Sequence, residues 1–321
     1  MPQNRKYYIH NNTHLITART EEGLPFVPTH FLNLIIWGIL AKARTLYQVK
    51  VCHFVFMANH FHMLLVVDNP EHTSSFVGYV KCETAHAVNK LLGRQKKTIW
   101  CDGYDSPVLL TDYDIIRYIK YIYQNPARAN LVEHIGEYPG VSSWNMYKNS
   151  STEKLCATVS RDSIIPLELP ALSINEQKRL TEQYSRISTR SEKFTLEPDA
   201  WMGNRYAAEV REEINARIRS EIQEAELKMR TERMLNKRTV IGSTALQRQS
   251  MDKYYIPSKF SQRMICISSD RGMRGYFIQQ FKELCNIAYD IYQQWKIGDF
   301  SSKLPPGFLP PRIPTLMSAV P

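Results

Sequence analysis

Residues 51–67, VCHFVFMANHFHMLLVV, govern how this chain is read. The run is apolar and β-branched, interrupted by Asn59-His60-Phe61-His62. It reads as two strands joined by a tight turn around Ala58-Asn59, or as one strand leading into a second, and Asn69-Pro70 ends it. Side chains on a strand alternate between faces, so His60 and His62 project together while Phe61 points into a core. Two imidazoles side by side on a rigid strand are half of a metal site. Two half-buried, hydrogen-bonded histidines are the plainer alternative, and this spacing alone does not choose between them. His10, His14 and His53, also on expected strands, read as structural.

Upstream, Lys6 to Thr17 alternates enough for a first strand, and Gly23, Pro25 and Pro28 mark a turn. Thr29 caps a helix whose Phe31, Leu34, Ile35, Gly38 and Ile39 recur at helical spacing. Downstream, Thr73 to Leu92 is a second amphipathic helix, followed by the basic loop Gly93-Arg94-Gln95-Lys96-Lys97. A short strand ends at Val108-Leu109-Leu110. Asp112 then caps a helix over Tyr113 to Tyr123, closed by Asn125-Pro126. This order predicts an α+β, ferredoxin-like (RRM-like) antiparallel sheet with two helices on one face, the later helix being free to cover the other.

The first domain is expected to span 1–148. Residues 149–200, rich in Ser, Thr, Glu and Lys with prolines at 166, 170 and 198, read as a linker or loose extension. Residues 201–321 read as a helical C-terminal extension with a Pro-rich tail. Within it, Trp201 to Arg238 is one charged helix whose Val210, Ile214, Ile218, Ile222, Ala225 and Met229 form a seam. That seam suits packing on its own domain or a coiled-coil partner equally. Arg271 to Trp295 is a further amphipathic helix, and the tail LPPGFLPPRIPTLMSAVP should be extended.

A formal charge of +10, from 41 basic and 31 acidic residues, favours a polyanionic partner, nucleic acid first. The six cysteines are scattered without a C-x-x-C pair, which fits reduced thiols better than a disulfide framework or zinc ribbon. No stretch is apolar enough for a signal peptide core or a membrane span, so a soluble cytoplasmic protein is expected.

In Tyr118-Ile119-Lys120-Tyr121-Ile122-Tyr123-Gln124-Asn125, residues three and four apart share a helical face. Tyr121 and Asn125 are therefore neighbours, with Tyr118 one turn earlier and Tyr123 facing elsewhere. A phenol beside an amide oxygen, presented to a histidine pair, suits attack on a phosphodiester polarised by a metal. A tyrosine with its ordinary pKa near 10 needs such help to act as a nucleophile. Packed amphipathic tyrosines with exposed hydroxyls are the alternative.

MANHFHMLLVV resembles the His-hydrophobe-His motif of single-tyrosine HUH transposases. YIYQNPARANLVEHIGEYPGVSSWNMY resembles the tyrosine helix and following segment of REP-associated tyrosine transposases, relatives of the insertion-sequence TnpA-like enzymes. The likeness spans roughly residues 5 to 148. It implies a metal pair at His60 and His62, a nucleophile at Tyr121 with Tyr118 as the alternative, and a third ligand at Asn125, where insertion-sequence enzymes often carry Gln. Ala58 stands where the family most often has Pro. The implied activity is cutting and rejoining single-stranded, hairpin-associated DNA through a 5′-phosphotyrosine, with Mg2+ or Mn2+. Arg94, Lys96, Lys97, Arg117, Lys120 and Arg128 are the candidate DNA contacts, and a homodimer is compatible. A non-catalytic hairpin-DNA regulator, a replication or relaxase-type nickase, and a water-using metallohydrolase are the competing readings. The nickase lacks a helicase-like P-loop here, and the hydrolase lacks a carboxylate motif.

Overall fold

A computed structural model describes residues 6–188, 190–256 and 263–310. The chain opens with β1 (Thr13–Arg19), α1 (His30–Tyr47), β2 (Lys50–Met57), β3 (His60–Val66), α2 (Pro70–Leu91), β4 (Val108–Leu109) and α3 (Asp112–Arg128). Further on come α4 (Trp144–Lys148), β5 (Glu153–Thr158), α5 (Ile174–Ile187), β6 (Arg190–Thr195), α6 (Ala208–Leu235), α7 (Ser243–Gln247), β7 (Cys266–Ile267) and α8 (Arg271–Lys296).

The main sheet runs β2-β3-β1-β4-β7. Its first four strands pair antiparallel in the expected ferredoxin-like order. β7 then adds in parallel, with Val108 opposite Cys266 and Leu109 opposite Ile267. This covers the backbone edge that β4 would otherwise leave open, and makes the sheet mixed. The first strand starts later than the sequence suggests, at Thr13, and Tyr7 forms only an isolated bridge to Phe308.

β2 and β3 join through Ala58 and Asn59 alone, with Met57 opposite His60. Two-residue hairpins ordinarily need positive φ, yet neither residue has it. The turn is instead pinned from outside: Phe26 N donates to Ala58 O at 3.0 Å and Thr20 N to Asn59 O at 2.8 Å. This accounts for alanine serving at a turn position without help from proline.

Alternation sorts the two faces. Phe61 stacks on Phe56 at 4.9 Å between centroids and meets Trp100 edge-on at 5.3 Å. Trp100 donates its indole N–H to Thr84 of α2, and Trp37 of α1 packs on Phe54, so α1 and α2 cover this face. Full burial of one such aromatic contributes up to about 3 kcal/mol. The opposite face, carrying His53, His60 and His62, receives α3.

Residues 149–200 are not a loose linker. β5 and β6 pair along their whole lengths and lie on α1, and Cys156, Tyr184, Phe194 and Leu196 join the central core. The strands are outwardly polar, with only alternate residues inward, so the stretch has the composition of a loop. One continuous apolar cluster runs from Tyr8 to Ile267, and no break in the core falls at residue 148. α6 packs on α3 of its own chain through Ile218 and Ile222, both fully buried, whereas Val210 at the head of the expected seam is exposed. α8 forms a separate small cluster with Tyr7 and Phe308. Of the Pro-rich tail, residues 311–321 lie outside the described residues. Among the described residues no helix is long and apolar enough to cross a membrane.

Candidate active site

α3 begins where Thr111 caps it, the hydroxyl accepting from Asp114 N at 3.1 Å, one residue before the expected Asp112. Asp112 and Asp114 in its first turn suit the positive end of the helix dipole. Ile115, Ile119 and Ile122 bury one stripe against the sheet. The helix continues through Pro126 to Arg128, further than the Asn125-Pro126 pair suggests. Proline removes one intrahelical donor and clashes with the preceding turn, but in this last turn Ala129 N still reaches Asn125 O at 3.0 Å and Leu131 N reaches Pro126 O at 3.0 Å.

The two flanks of that stripe differ. Tyr123 is fully buried on one, its hydroxyl 2.8 Å from His53 Nδ1 and 2.9 Å from Ser143 Oγ. Burial pushes the His53 imidazole down to about 3 and holds the Tyr123 phenol well above its ordinary range. His14 is equally structural, with Nδ1 2.9 Å from Ser106 O and Nε2 accepting from Ile9 N at 3.1 Å. On the other flank stand Tyr118, Tyr121 and Asn125. The Tyr121 ring lies 5.3 Å from His62, centroid to centroid, at 67°. Tyr118 is 5.6 Å from Tyr121, and burial pushes its phenol upward. Asn125 is buried one turn beyond Tyr121.

The histidine pair is held from behind. Strand register sets Thr17 of β1 opposite His62 and Arg19 opposite His60. Thr17 Oγ1 is 2.8 Å from His62 Nδ1, and Asn59 Oδ1 is 2.7 Å from His60 Nδ1. An amide oxygen can only accept, so His60 donates through Nδ1 and keeps a lone pair on Nε2. The two rings are 4.8 Å apart. Burial, with Arg19 as a secondary cause, pushes His60 down to about 4; burial, then His60 and Arg19, holds His62 well below the ordinary imidazole range. Both are neutral imidazoles at neutral pH, the form that binds metal. Thr17 and Asn59 carried no signal in the sequence, because their roles depend on strand register and on the turn.

Two neutral imidazoles with Nδ1 engaged fit a divalent ion. Among the described residues no group of three His, Cys, Asp or Glu side chains converges.

Next to Tyr121 opens a cleft of about 410 Å3 between α3 and α6. Arg117, Lys120 and Arg128 line it, with Arg128 over the Tyr121 ring at 5.6 Å and Arg117 over Tyr118 at 5.2 Å. Arg94, Lys96 and Lys97 do not line it; they lie on the loop after α2, where Lys97 pairs with Glu22.

Residues 14–125 match the family described as Transposase IS200 like. This segment is similar to the IS200-like transposases. It contains His60, His62, Tyr121 and Asn125 and ends within α3, so α6 lies beyond it. Among solved structures, the chain is similar to a REP-associated tyrosine transposase bound to a REP hairpin, at 20% identity and a TM-score of 0.40, covering 46% of this chain and 86% of that one. It is also similar to the crystal structure of a "putative transposase" from Deinococcus radiodurans R1, at 19% identity and a TM-score of 0.23, covering 38% of this chain and 95% of that one. No curated protein matches.

Proposed function

We propose that this transposase-domain protein cuts and rejoins single-stranded, hairpin-associated DNA with Tyr121 as nucleophile. The observation that carries the reading is the approach of Tyr121 to His62 within one chain, at 5.3 Å between rings. A divalent metal, Mg2+ or Mn2+, held by His60, His62 and Asn125, would supply Lewis-acid polarisation of the phosphodiester. Tyr121 Oη attacks phosphorus and gives up its proton; the bond from phosphorus to the 3′ oxygen breaks, and that oxygen takes up a proton to leave as a 3′-hydroxyl. The product is a 5′-phosphotyrosine. Attack by a 3′-hydroxyl on that link restores the phenol, so rejoining needs no ATP. Arg128 beside the Tyr121 ring can accompany the phosphate oxygens. Burial disfavours the phenolate of Tyr118.

Incubation with end-labelled single-stranded hairpin oligonucleotides and Mg2+ or Mn2+ tests this. A covalent protein–DNA adduct should appear for the wild type and for Tyr118→Phe, and disappear for Tyr121→Phe. Equal adduct from wild type and Tyr121→Phe removes Tyr121 from the role. Tight hairpin binding without cleavage in any divalent ion would instead indicate a DNA-binding regulator.

A further inference from the structure

One wall of the cleft beside Tyr121 comes from outside the transposase domain. α6 sets Glu221 and Ala225 across from Lys120 and Arg128. Glu221 Oε2 accepts from Lys120 Nζ at 2.5 Å, and its other oxygen lies 3.8 Å from Arg217 Nε. Among the described residues lining the cleft, Glu221 is the single acid against three cations.

This ion pair does not hold α6 in place. Ile218 and Ile222 are buried against the domain, and Arg233 reaches Ala127 O at 3.2 Å and Glu133 Oε2 at 2.5 Å. The Lys120 and Glu221 side chains remain 28% and 38% exposed. A pair so wet contributes little to stability and yields readily to a competing anion. A phosphodiester brings the same charge and the same kind of acceptor oxygens. Beside this position, half-buried Tyr118 offers an aromatic ring of the kind on which bases stack.

We propose that single-stranded DNA lies in the α3–α6 cleft, with one of its phosphates replacing Glu221 between Lys120 and Arg217. Glu221 then occupies a phosphate position in the free protein and sets the affinity for DNA. The inference rests on the single-strand reading above. It gives α6 a direct part in the site, although the family match ends before it.

The test is fluorescence anisotropy of a labelled oligothymidylate across a salt series, comparing wild type, Glu221→Gln and Glu213→Gln. Glu213 is exposed on the same helix and does not line the cleft, so its variant makes the same change in net charge. Glu221→Gln should bind about three- to tenfold tighter at low salt, and its dependence of log K on log salt should steepen by about 0.7 for each cation released. Glu213→Gln should leave that slope unchanged, and Lys120→Gln added to Glu221→Gln should cancel most of the gain. Equal behaviour of the two glutamate variants, or weaker binding by Glu221→Gln, overturns the inference while leaving the single-strand reading intact. Absence of oligothymidylate and hairpin binding by the wild type overturns both.

Discussion

Asn59 Oδ1 lies 2.7 Å from His60 Nδ1, and the residue that orients the first imidazole is its own neighbour in the chain. Thr17 does the same for His62 from the adjacent strand, at 2.8 Å. Each contact leaves Nε2 as the ring nitrogen available to a ligand. Partners of this kind typically govern metal affinity by ten- to a hundredfold. Asn59→Ala and Thr17→Val are each expected to weaken Mn2+ binding by roughly tenfold or more, with thermal stability changed far less. Calorimetric titration of Mn2+ into DNA-free protein checks this. Unchanged affinity in both variants would show that the imidazoles do not need these partners.

The seating of the β5–β6 strand pair on α1 depends on Gly38. A Cβ on this α1 residue would run into the carbonyl oxygen of Ala157 and lie 3.2 Å from Thr158 Cα. Alanine improves helix propensity by about 1 kcal/mol over glycine, but here the obstacle is backbone, which cannot rotate away. Gly38→Ala should cost about 1–3 kcal/mol net, and Gly38→Val more. Thermal melts give the magnitude, and faster proteolysis around residues 150–160 would localise it to the displaced strand pair.

That strand pair also marks where the sequence is hard to read. In β5 and β6 the outward residues Glu153, Lys154, Arg190 and Lys193 dominate the composition, and only Cys156 and Phe194 face fully inward. A half-buried strand with so few apolar positions has the look of a linker. Gly38 inside an apolar helix was a sign that another backbone passes close, but nothing local says which one. By contrast, β2, β3 and α3 were legible because period-two and period-3.6 patterns there coincide with real burial. The Tyr121–Asn125 face and the His60–His62 face could both be read within their own elements. Their meeting could not, since it needs α3 on the histidine side of the sheet. Glu221 was hidden among the solvated charges of α6, where the i, i+4 pair Ile218 and Ile222 marks only the buried stripe.

Glu226, also on α6, has a different consequence. Its side chain is buried beside Ile135, whose N–H it accepts at 2.7 Å, and burial pushes its carboxyl up to about 7. The folded pKa lies above the unfolded one, so the folded protein holds more protons between about pH 4.5 and 7. Its contribution is therefore fully present below about pH 4.5 and is lost as pH rises through 7. Glu226→Gln keeps the acceptor and removes the titration. The melting temperature of the variant relative to wild type should rise from pH 5 to about pH 7 and level off between there and pH 8. A constant difference across that range would mean that the carboxyl does not change its protonation on folding.

The packing of α6 and of the β5–β6 pair predicts what truncation does. A chain ending at Lys148 keeps every residue of the family match, and if it were an independent domain it would fold without the rest. The core argues otherwise. Tyr184, Phe194, Leu196, Ile218 and Ile222 are each fully buried in the same apolar cluster as the sheet. At about 2 kcal/mol for each buried side chain, their loss is comparable to the whole stability of a typical domain, about 5–15 kcal/mol. It would also strip the cover from α1 and α3. The truncated chain is expected to be insoluble or to lack a cooperative melt. Deleting residues 271–321 instead removes α8, whose described contacts form a separate cluster around Phe281 and Phe308. That chain should keep a cooperative transition lowered by only a few degrees. Circular dichroism melts of the two truncations distinguish the outcomes: a cooperative, soluble 1–148 fragment would show that the first domain stands alone, and collapse of the 1–270 chain would show that α8 belongs to the main core.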